Sequence, residues 1–233
     1  MTADSQISSG KSIRSLVRRA LSGLLSALDG KFAKRIFDIL FSLAILMLFS
    51  PLYLLIMLAI ALSSPGPIFY VQERVGKNFK RFGCIKFRTM VKNADEVLLQ
   101  LMETSPRLRQ EFQTSFKLRR DPRITWIGRF LRVTSLDEFP QFLNVLMGDM
   151  SVVGPRPVVV EELPKYGKHV DRVLSIRPGI TGLWQVSGRN HIPYPRRVQI
   201  DVYYIHFRSF LWDLGIIIRT IGIVIFPKDN GAY

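Results

Sequence analysis

Two adjacent carboxylates, Asp137 and Glu138, stand in a stretch otherwise crowded with arginine: Arg119, Arg120, Arg123, Arg129, Arg132 and, further on, Arg156. Such a pair can divide two duties, one carboxylate attacking an electrophile while the other helps to hold a metal ion. The same residues also fit a capping box, with Ser135 as N-cap and Glu138 reaching back to its amide. Pro140 complicates that box, because proline is best tolerated at a first helical position and would move the helix start to about Phe139. Either way the carboxylates lie near a helix N-terminus, whose exposed amides also favour phosphate.

Three further motifs offer cations or polar groups. Met150-Ser-Val-Val-Gly-Pro-Arg-Pro157 places the Arg156 guanidinium between two prolines, where a preorganised planar fork suits a pair of phosphate oxygens. The alternative is a surface arginine on a turn. Lys86-Phe-Arg-Thr-Met90 ends an expected strand with two cations, Lys86 and Arg88. Gly182-Leu-Trp-Gln-Val-Ser-Gly-Arg189 could hold a base or a sugar, or Trp184 could be ordinary core. Each motif is weak alone.

These residues need a scaffold, and composition bounds it. A chain of 233 residues accommodates one compact domain plus a membrane element. Lys+Arg 33 against Asp+Glu 18 gives a net charge of +15, which attracts nucleic acid, anionic lipid or phosphorylated substrates. The 48% hydrophobic content favours a protein seated on a bilayer over a soluble nucleic-acid binder. A membrane-tethered nucleic-acid-binding protein is the main rival, motivated by the charge and the arginine-rich stretch 107–132, but it explains neither the acidic pair nor the order of the motifs. With Cys84 as its single cysteine, the chain can form neither an internal disulfide nor a thiolate cluster. His169, His191 and His206 lack metal-ligand spacing. Met1 to Lys11 is polar and lacks the features of a signal peptide, so the catalytic part is expected on the cytoplasmic side.

Between Lys11 and Asp29, apolar residues recur at three- and four-residue spacing with Lys11, Arg14, Arg18 and Arg19 elsewhere, predicting a basic amphipathic helix for the headgroup layer or a partner surface. From Ile36 to Ser63 the chain is almost wholly apolar, long enough to span as one straight helix. Ser50-Pro51 falls near its middle and favours a kink, after which neither arm could span alone. Lys31, Lys34 and Arg35 precede the run and Arg74, Lys77 and Lys80 follow it, so the positive-inside tendency draws both ends to one side. A re-entrant hairpin satisfies both flanks, with Ser50 free to bond carbonyls released at the bend.

Beyond Pro65, residues 68–72 and 82–87 read as short strands joined by a turn over 75–81. A long polar helix is expected from Val91 to Phe116, helical spacing over 124–133 and 139–147, and loops at Ser151–Pro157 and around Pro178-Gly179 and Gly182. The apolar tail Phe210–Phe226 carries Asp213 and Arg219, which argues for an interfacial or packed helix over a second span.

The motifs together resemble the bacterial sugar transferase family, the monotopic polyprenyl-phosphate phosphoglycosyl transferases, and especially its exopolysaccharide-initiating members. The resemblance covers about Lys34 to Tyr233. It rests on Lys34-Arg-Ile-Phe-Asp38, Ser50-Pro51, Lys86-Phe-Arg-Thr-Met90, Asp121-Pro-Arg-Ile-Thr125, Ser135-Leu-Asp-Glu138, Gly148-Asp-Met-Ser-Val-Val-Gly-Pro-Arg-Pro157 and Arg177-Pro-Gly-Ile-Thr-Gly-Leu-Trp-Gln-Val-Ser-Gly-Arg-Asn190. Phe139 departs from the family's usual leucine, an apolar exchange. The resemblance implies a mostly helical α/β, monotopic membrane protein. Beyond the basic amphipathic segment over 1–30, which the resemblance does not cover, it would comprise a re-entrant membrane helix over 31–65 broken at Ser50 and Pro51, and a small cytoplasmic catalytic domain with interfacial helices over 66–233. It further implies Asp137 as nucleophile, Glu138 as its partner at Mg²⁺, and Lys86, Arg88, Arg156, Arg177, Gln185 and Arg189 as phosphate- and substrate-binding residues. The implied partners are a UDP-sugar, undecaprenyl phosphate and the lipid bilayer at the cytoplasmic face of the bacterial inner membrane, with no nucleic acid. Whether the chain forms a homodimer stays open. Similarity to exopolysaccharide initiators, including the Gly231-Ala-Tyr end, points to galactose or glucose.

Overall fold

A computed structural model of the chain shows the apolar run folded as two helices, α1 over Lys31–Leu48 and α2 over Ser50–Ser63, bent by 64° at Phe49. The cause is local. Pro51 has no amide to offer the Met47 carbonyl, and the Ser50 hydroxyl donates to that carbonyl instead, at 2.9 Å. Among the described residues, 29–115, 118, 120–188 and 192–226, no single helix is long and apolar enough to cross a membrane; the bent pair passes that test only together. The expected N-terminal amphipathic helix, Arg189 and the Gly231-Ala-Tyr end lie outside the described residues.

After Pro65 an antiparallel hairpin forms, β1 over Phe69–Val75 and β2 over Arg81–Phe87, paired from Phe69–Phe87 to Val75–Arg81. Its turn is a single 3₁₀ turn in which Asn78 and Phe79 take positive φ. The expected single helix from Val91 to Phe116 is two, α3 over Ala94–Thr104 and α4 over Pro106–Ser115. Pro106 explains the break, since a residue before proline is driven to extended geometry, as Ser105 is.

Helix α5, Trp126–Thr134, starts under a Thr125 cap that accepts the Gly128 amide at 3.0 Å. A 3₁₀ turn, Leu136–Glu138, then carries the acidic pair into α6, Gln141–Met147. The stretch expected as a loop from Ser151 to Pro157 begins as strand β3, Ser151–Val153. It pairs in parallel with β4, Gly179–Thr181, where a loop was also expected. Strand pairing is possible there because the backbones of Gly154 and Gly179 touch and leave no room for a Cβ on either. A 3₁₀ run over Val160–His169 and the short α7, Val170–Val173, separate the two strands. Among the described residues three helices close the fold: α8 over Leu183–Ser187, α9 over Tyr194–Phe207 and α10 over Phe210–Ile225.

Three apolar clusters hold these pieces together. The largest joins Phe82 and Cys84 of β2, Phe142 and Val145 of α6, Val152 and Val153 of β3, Tyr204 of α9 and Ile216 of α10, with Phe37, Phe41 and Ile45 of α1 packed against it. A second unites Ile56 and Ile60 of α2 with Phe87, Ile127 and Leu131. The third gathers Val75, Val158, Tyr166 and Val198. The bent helix pair is therefore part of the core on one face. On its other face Phe32, Leu40, Met47, Leu54 and Leu62 are exposed. Trp126 and Phe130 of α5 and Leu211, Ile218 and Ile225 of α10 are exposed in the same way.

Candidate active site

Lys86 and Glu138 meet across the fold: the Lys86 ammonium donates to Glu138 Oε1 at 2.7 Å. Lys86 comes from β2, Glu138 from the turn ahead of α6, and Asn144 locks the two elements in register. Its side chain, itself fully buried, donates through its amide to the Gly83 carbonyl at 2.7 Å while its oxygen accepts the Ile85 amide at 2.9 Å. Arg35 of α1 fixes the other end of α6, donating to the Val145 and Leu146 carbonyls at 2.6 and 3.0 Å, a cation at a helix C-terminus. The capping box does not form. Ser135 adopts a left-handed conformation that turns its hydroxyl away from any cap, and the carboxylate of Glu138 reaches Lys86 instead of the Ser135 amide.

The acidic pair is half-buried, and its two charges repel. Burial first and Glu138 second push the Asp137 carboxyl up to about 6, against the pull of Lys86 and Arg132. Burial works against the Lys86 charge, but Glu138 and Asp137 outweigh it and hold the ammonium above its ordinary value. Arg132 is steered by the Thr89 hydroxyl, which accepts from its Nε at 3.0 Å. That contact exists because 89–91 and 123–125 pair main chain to main chain, bringing the Lys86–Met90 and Asp121–Thr125 motifs together. Asp121 itself is tied to Arg123 by two bonds of 2.8 and 2.6 Å and serves that loop.

Lys86 and Glu138 line a cavity with Arg74, Gln141, Arg156 and Gln185; Cys84, Pro157, Ile180 and Trp184 complete its wall. Arg156 is half-buried, with no hydrogen bond or ion pair to the described residues. Asp201, buried nearby on α9, is a poor counter-charge for it, because burial pushes that carboxyl up to about 8 and disfavours its ionised form. Gln185 donates to the Ile180 carbonyl at 3.2 Å, and its amide oxygen is buried without a partner. The Trp184 ring is covered by the Arg197 guanidinium at 4.8 Å.

Arg74 and Gln141 stand at the cavity without having been expected there, and Arg132, expected only as one of a cluster of arginines, is the one that faces Asp137. Arg74 counted only as a flanking charge, yet it donates to the Pro157 carbonyl at 3.2 Å and braces the Arg156 loop. Alternation along β1 gives no hint of that reach.

Two residues expected at the phosphate site are elsewhere. Arg88 follows Lys86 by two, but the strand ends at Phe87. Its guanidinium turns to the end of α2, donating to the Ser64 carbonyl at 2.6 Å and to that of Ile60 at 3.3 Å. Arg177 donates to the Gly148 carbonyl at 2.7 Å and lines a second cavity with Lys34, Arg35 and Asp213. Lys86, Glu138, Arg156 and Gln185 are brought together; Arg88 and Arg177 hold the scaffold.

A small, mostly helical α/β fold built on a bent apolar helix pair, with an Asp-Glu pair beside a cation-lined cavity, defines the class. The chain belongs to the bacterial sugar transferase family, which matches residues 29–227. It is 46% identical over 209 residues to the undecaprenyl-phosphate galactose phosphotransferase of Salmonella typhimurium, covering 90% of this chain and 43% of that protein. It is 47% identical over 201 residues to the exopolysaccharide production protein ExoY of Rhizobium meliloti, 86% of this chain and 89% of ExoY. With the UDP-glucose:undecaprenyl-phosphate glucose-1-phosphate transferase of Escherichia coli it shares 38% identity over 200 residues, 82% of this chain and 40% of that protein. The chain thus spans less than half the length of several curated relatives and nearly all of ExoY.

Proposed function

We propose that this chain transfers hexose-1-phosphate, from UDP-galactose or UDP-glucose, to undecaprenyl phosphate at the membrane surface, releasing UMP. The observation that carries this reading is the half-buried Asp137–Glu138 pair beside a cavity into which Lys86, Arg74 and Arg156 bring positive charge. The names of the relatives supply the substrate class.

Asp137 is the nucleophile in this scheme. One carboxylate oxygen attacks the sugar-bearing phosphorus, the bond from that phosphorus to the bridging oxygen breaks, and UMP leaves with the electron pair. The resulting aspartyl phosphosugar is then attacked by an oxygen of undecaprenyl phosphate, which expels the Asp137 carboxylate and forms a new diphosphate. One anhydride replaces another, so no external energy source is needed. Lys86 and Arg156 offset the negative charge that otherwise keeps a carboxylate from a diphosphate. Gln185, with its unpartnered oxygen, is an acceptor for a sugar hydroxyl or base N–H.

Mg²⁺ fits these residues. Among the described residues no group of three or more His, Cys, Asp or Glu converges on a metal position. Mg²⁺ binding through one or two carboxylates plus substrate phosphates requires no such group. Burial raises Asp137 most, and the repulsion from Glu138 that adds to it is what a divalent cation relieves. Glu138, with Asp137 beside it, would hold the ion, which supplies charge neutralisation at the diphosphate.

The bent helix pair and the exposed apolar faces of α5 and α10 support a monotopic seat, re-entrant at Ser50-Pro51, with the cavity at headgroup depth on the cytoplasmic side. The lipid phosphate then meets the site while its tail stays in hydrocarbon.

The test is UMP release from UDP-glucose and UDP-galactose by lipid-reconstituted protein, with and without Mg²⁺ and undecaprenyl phosphate. The expected outcome is Mg²⁺-dependent release that disappears in Asp137→Asn, with the sugar phosphate recovered on lipid. Turnover undiminished in Asp137→Asn would refute the covalent scheme.

A further inference from the structure

Helix α1 is apolar along its length except at a few positions, and two polar residues within it, Asp38 and Ser42, are among its most buried. A carboxylate that is 2% exposed in such a helix is costly unless it is paired and hydrogen-bonded. Asp38 is both. Its Oδ1 accepts from the Lys34 ammonium at 2.8 Å and from the Val152 amide at 3.1 Å. Lys34 also pairs with Asp213 of α10 at 3.0 Å. The other oxygen of Asp213 accepts from the Tyr204 hydroxyl at 2.7 Å, and that hydroxyl lies 3.2 Å from the Val153 carbonyl.

This chain of contacts ends on β3 from two directions. Strand β4 and the residue before it take one edge of β3, receiving the Ser151 and Gly154 amides at 2.8 and 2.9 Å. Asp38 receives the Val152 amide and Tyr204 faces the Val153 carbonyl. Arg156 follows only three residues after Val153, across Gly154 and Pro155, with both of those residues and Pro157 buried. A strand of three residues has little stiffness of its own. Its placement, and with it the direction in which Arg156 enters the cavity, depends on what grips it.

We infer that Asp38 is a positioning residue for Arg156: the membrane helix sets the phosphate-binding loop through the Asp38–Val152 bond, with Lys34, Asp213 and Tyr204 keeping the carboxylate in place. The inference rests on the proposal that Arg156 binds substrate phosphate. It makes seating of α1 and readiness of the cavity a single structural condition, and it gives buried polar residues of the membrane segment a role in turnover.

A double-mutant cycle tests it on full-length protein reconstituted in lipid, with kcat and KM for the UDP-sugar measured for Asp38→Ala, Asp38→Asn, Arg156→Ala and the Asp38→Ala/Arg156→Ala pair. Arg156→Ala and Asp38→Ala are each expected to lower kcat/KM by about tenfold and to alter the same parameter, kcat or KM. In the Arg156→Ala background, Asp38→Ala is expected to cost less than about twofold, since there is no guanidinium left to misplace. Asp38→Asn keeps an oxygen for the Val152 amide and is expected to stay within about threefold of the parent.

Additive losses, or an Asp38→Asn variant as impaired as Asp38→Ala, would overturn the positioning role while leaving Arg156 as a phosphate ligand. Full activity in Arg156→Ala would overturn the Arg156 assignment and the inference with it. If Asp38→Ala does not accumulate in membranes, Tyr204→Phe, which removes the second contact with β3, takes its place in the cycle under the same criteria.

Discussion

At the residue scale the acidic pair carries its own signature. Asp137 keeps its proton to about pH 6 in the folded protein, against an ordinary value of 3.8, because burial and Glu138 both disfavour its charge. Between those two values the folded state binds more protons than the unfolded chain, so stability falls as pH rises through that window and stays at the lower level above it. Asp137→Asn removes the effect. In EDTA, the variant's gain in melting temperature over the parent is expected to be small near pH 4 and largest above about pH 6.5. An equal gain at both pH values would show that Asp137 is not strained by its neighbours. In the same way, burial disfavours the Asp201 charge and weakens its competition for Arg156.

At the element scale, the site depends on fasteners between pieces that lack long sheets to align them. Asn144 is the clearest case, one amide bonding both a carbonyl and an amide of β2. Asn144→Ala strands the half-buried Ile85 amide and returns the Gly83 carbonyl, on an exposed residue, to water. We expect a loss of about 2 kcal/mol in unfolding free energy, read from denaturant titration in detergent, with UMP release falling as Glu138 and Lys86 lose register. A loss below about 1 kcal/mol would mean that water replaces the amide. The break between α3 and α4 belongs to this scale as well, since one proline divides what periodicity alone reads as a single helix.

At the scale of the whole molecule, the 64° bend at Phe49 keeps the apolar run from forming one long straight helix. A straight helix over Lys31–Ser63 would be about 50 Å long at 1.5 Å per residue, more than a hydrocarbon core of about 30 Å. Replacing Ser50 and Pro51 with alanine restores the missing amide and removes the hydroxyl that takes its place. In the parent, cysteines at Lys31 and Lys92 are expected to react from the same side with a membrane-impermeant thiol reagent. In the Ser50→Ala/Pro51→Ala protein they are expected to react from opposite sides. Same-side labelling in both proteins would place the cause of the topology in the flanking charges, not in the bend.

The sequence by itself determined much of this protein. Pro51 removes a backbone amide and so favours a bend, a covalent fact legible in one residue, and the hairpin strands, α5 and α10 follow from periodicity within a few residues. The order of the motifs was enough to name the family that the match over residues 29–227 then showed. Tertiary structure decided what depends on partners distant in the chain. Arg88 and Arg177 have the chemistry of phosphate ligands, but the carbonyls of Ser64 and Gly148 claim them. Arg74 looks like a flanking charge and instead braces the loop that carries Arg156. Strands β3 and β4 are too short for alternation to register, and they exist because two glycine backbones meet across 25 residues. Local patterns record what a residue can do; only the packed chain records which of several suitable groups reaches it first.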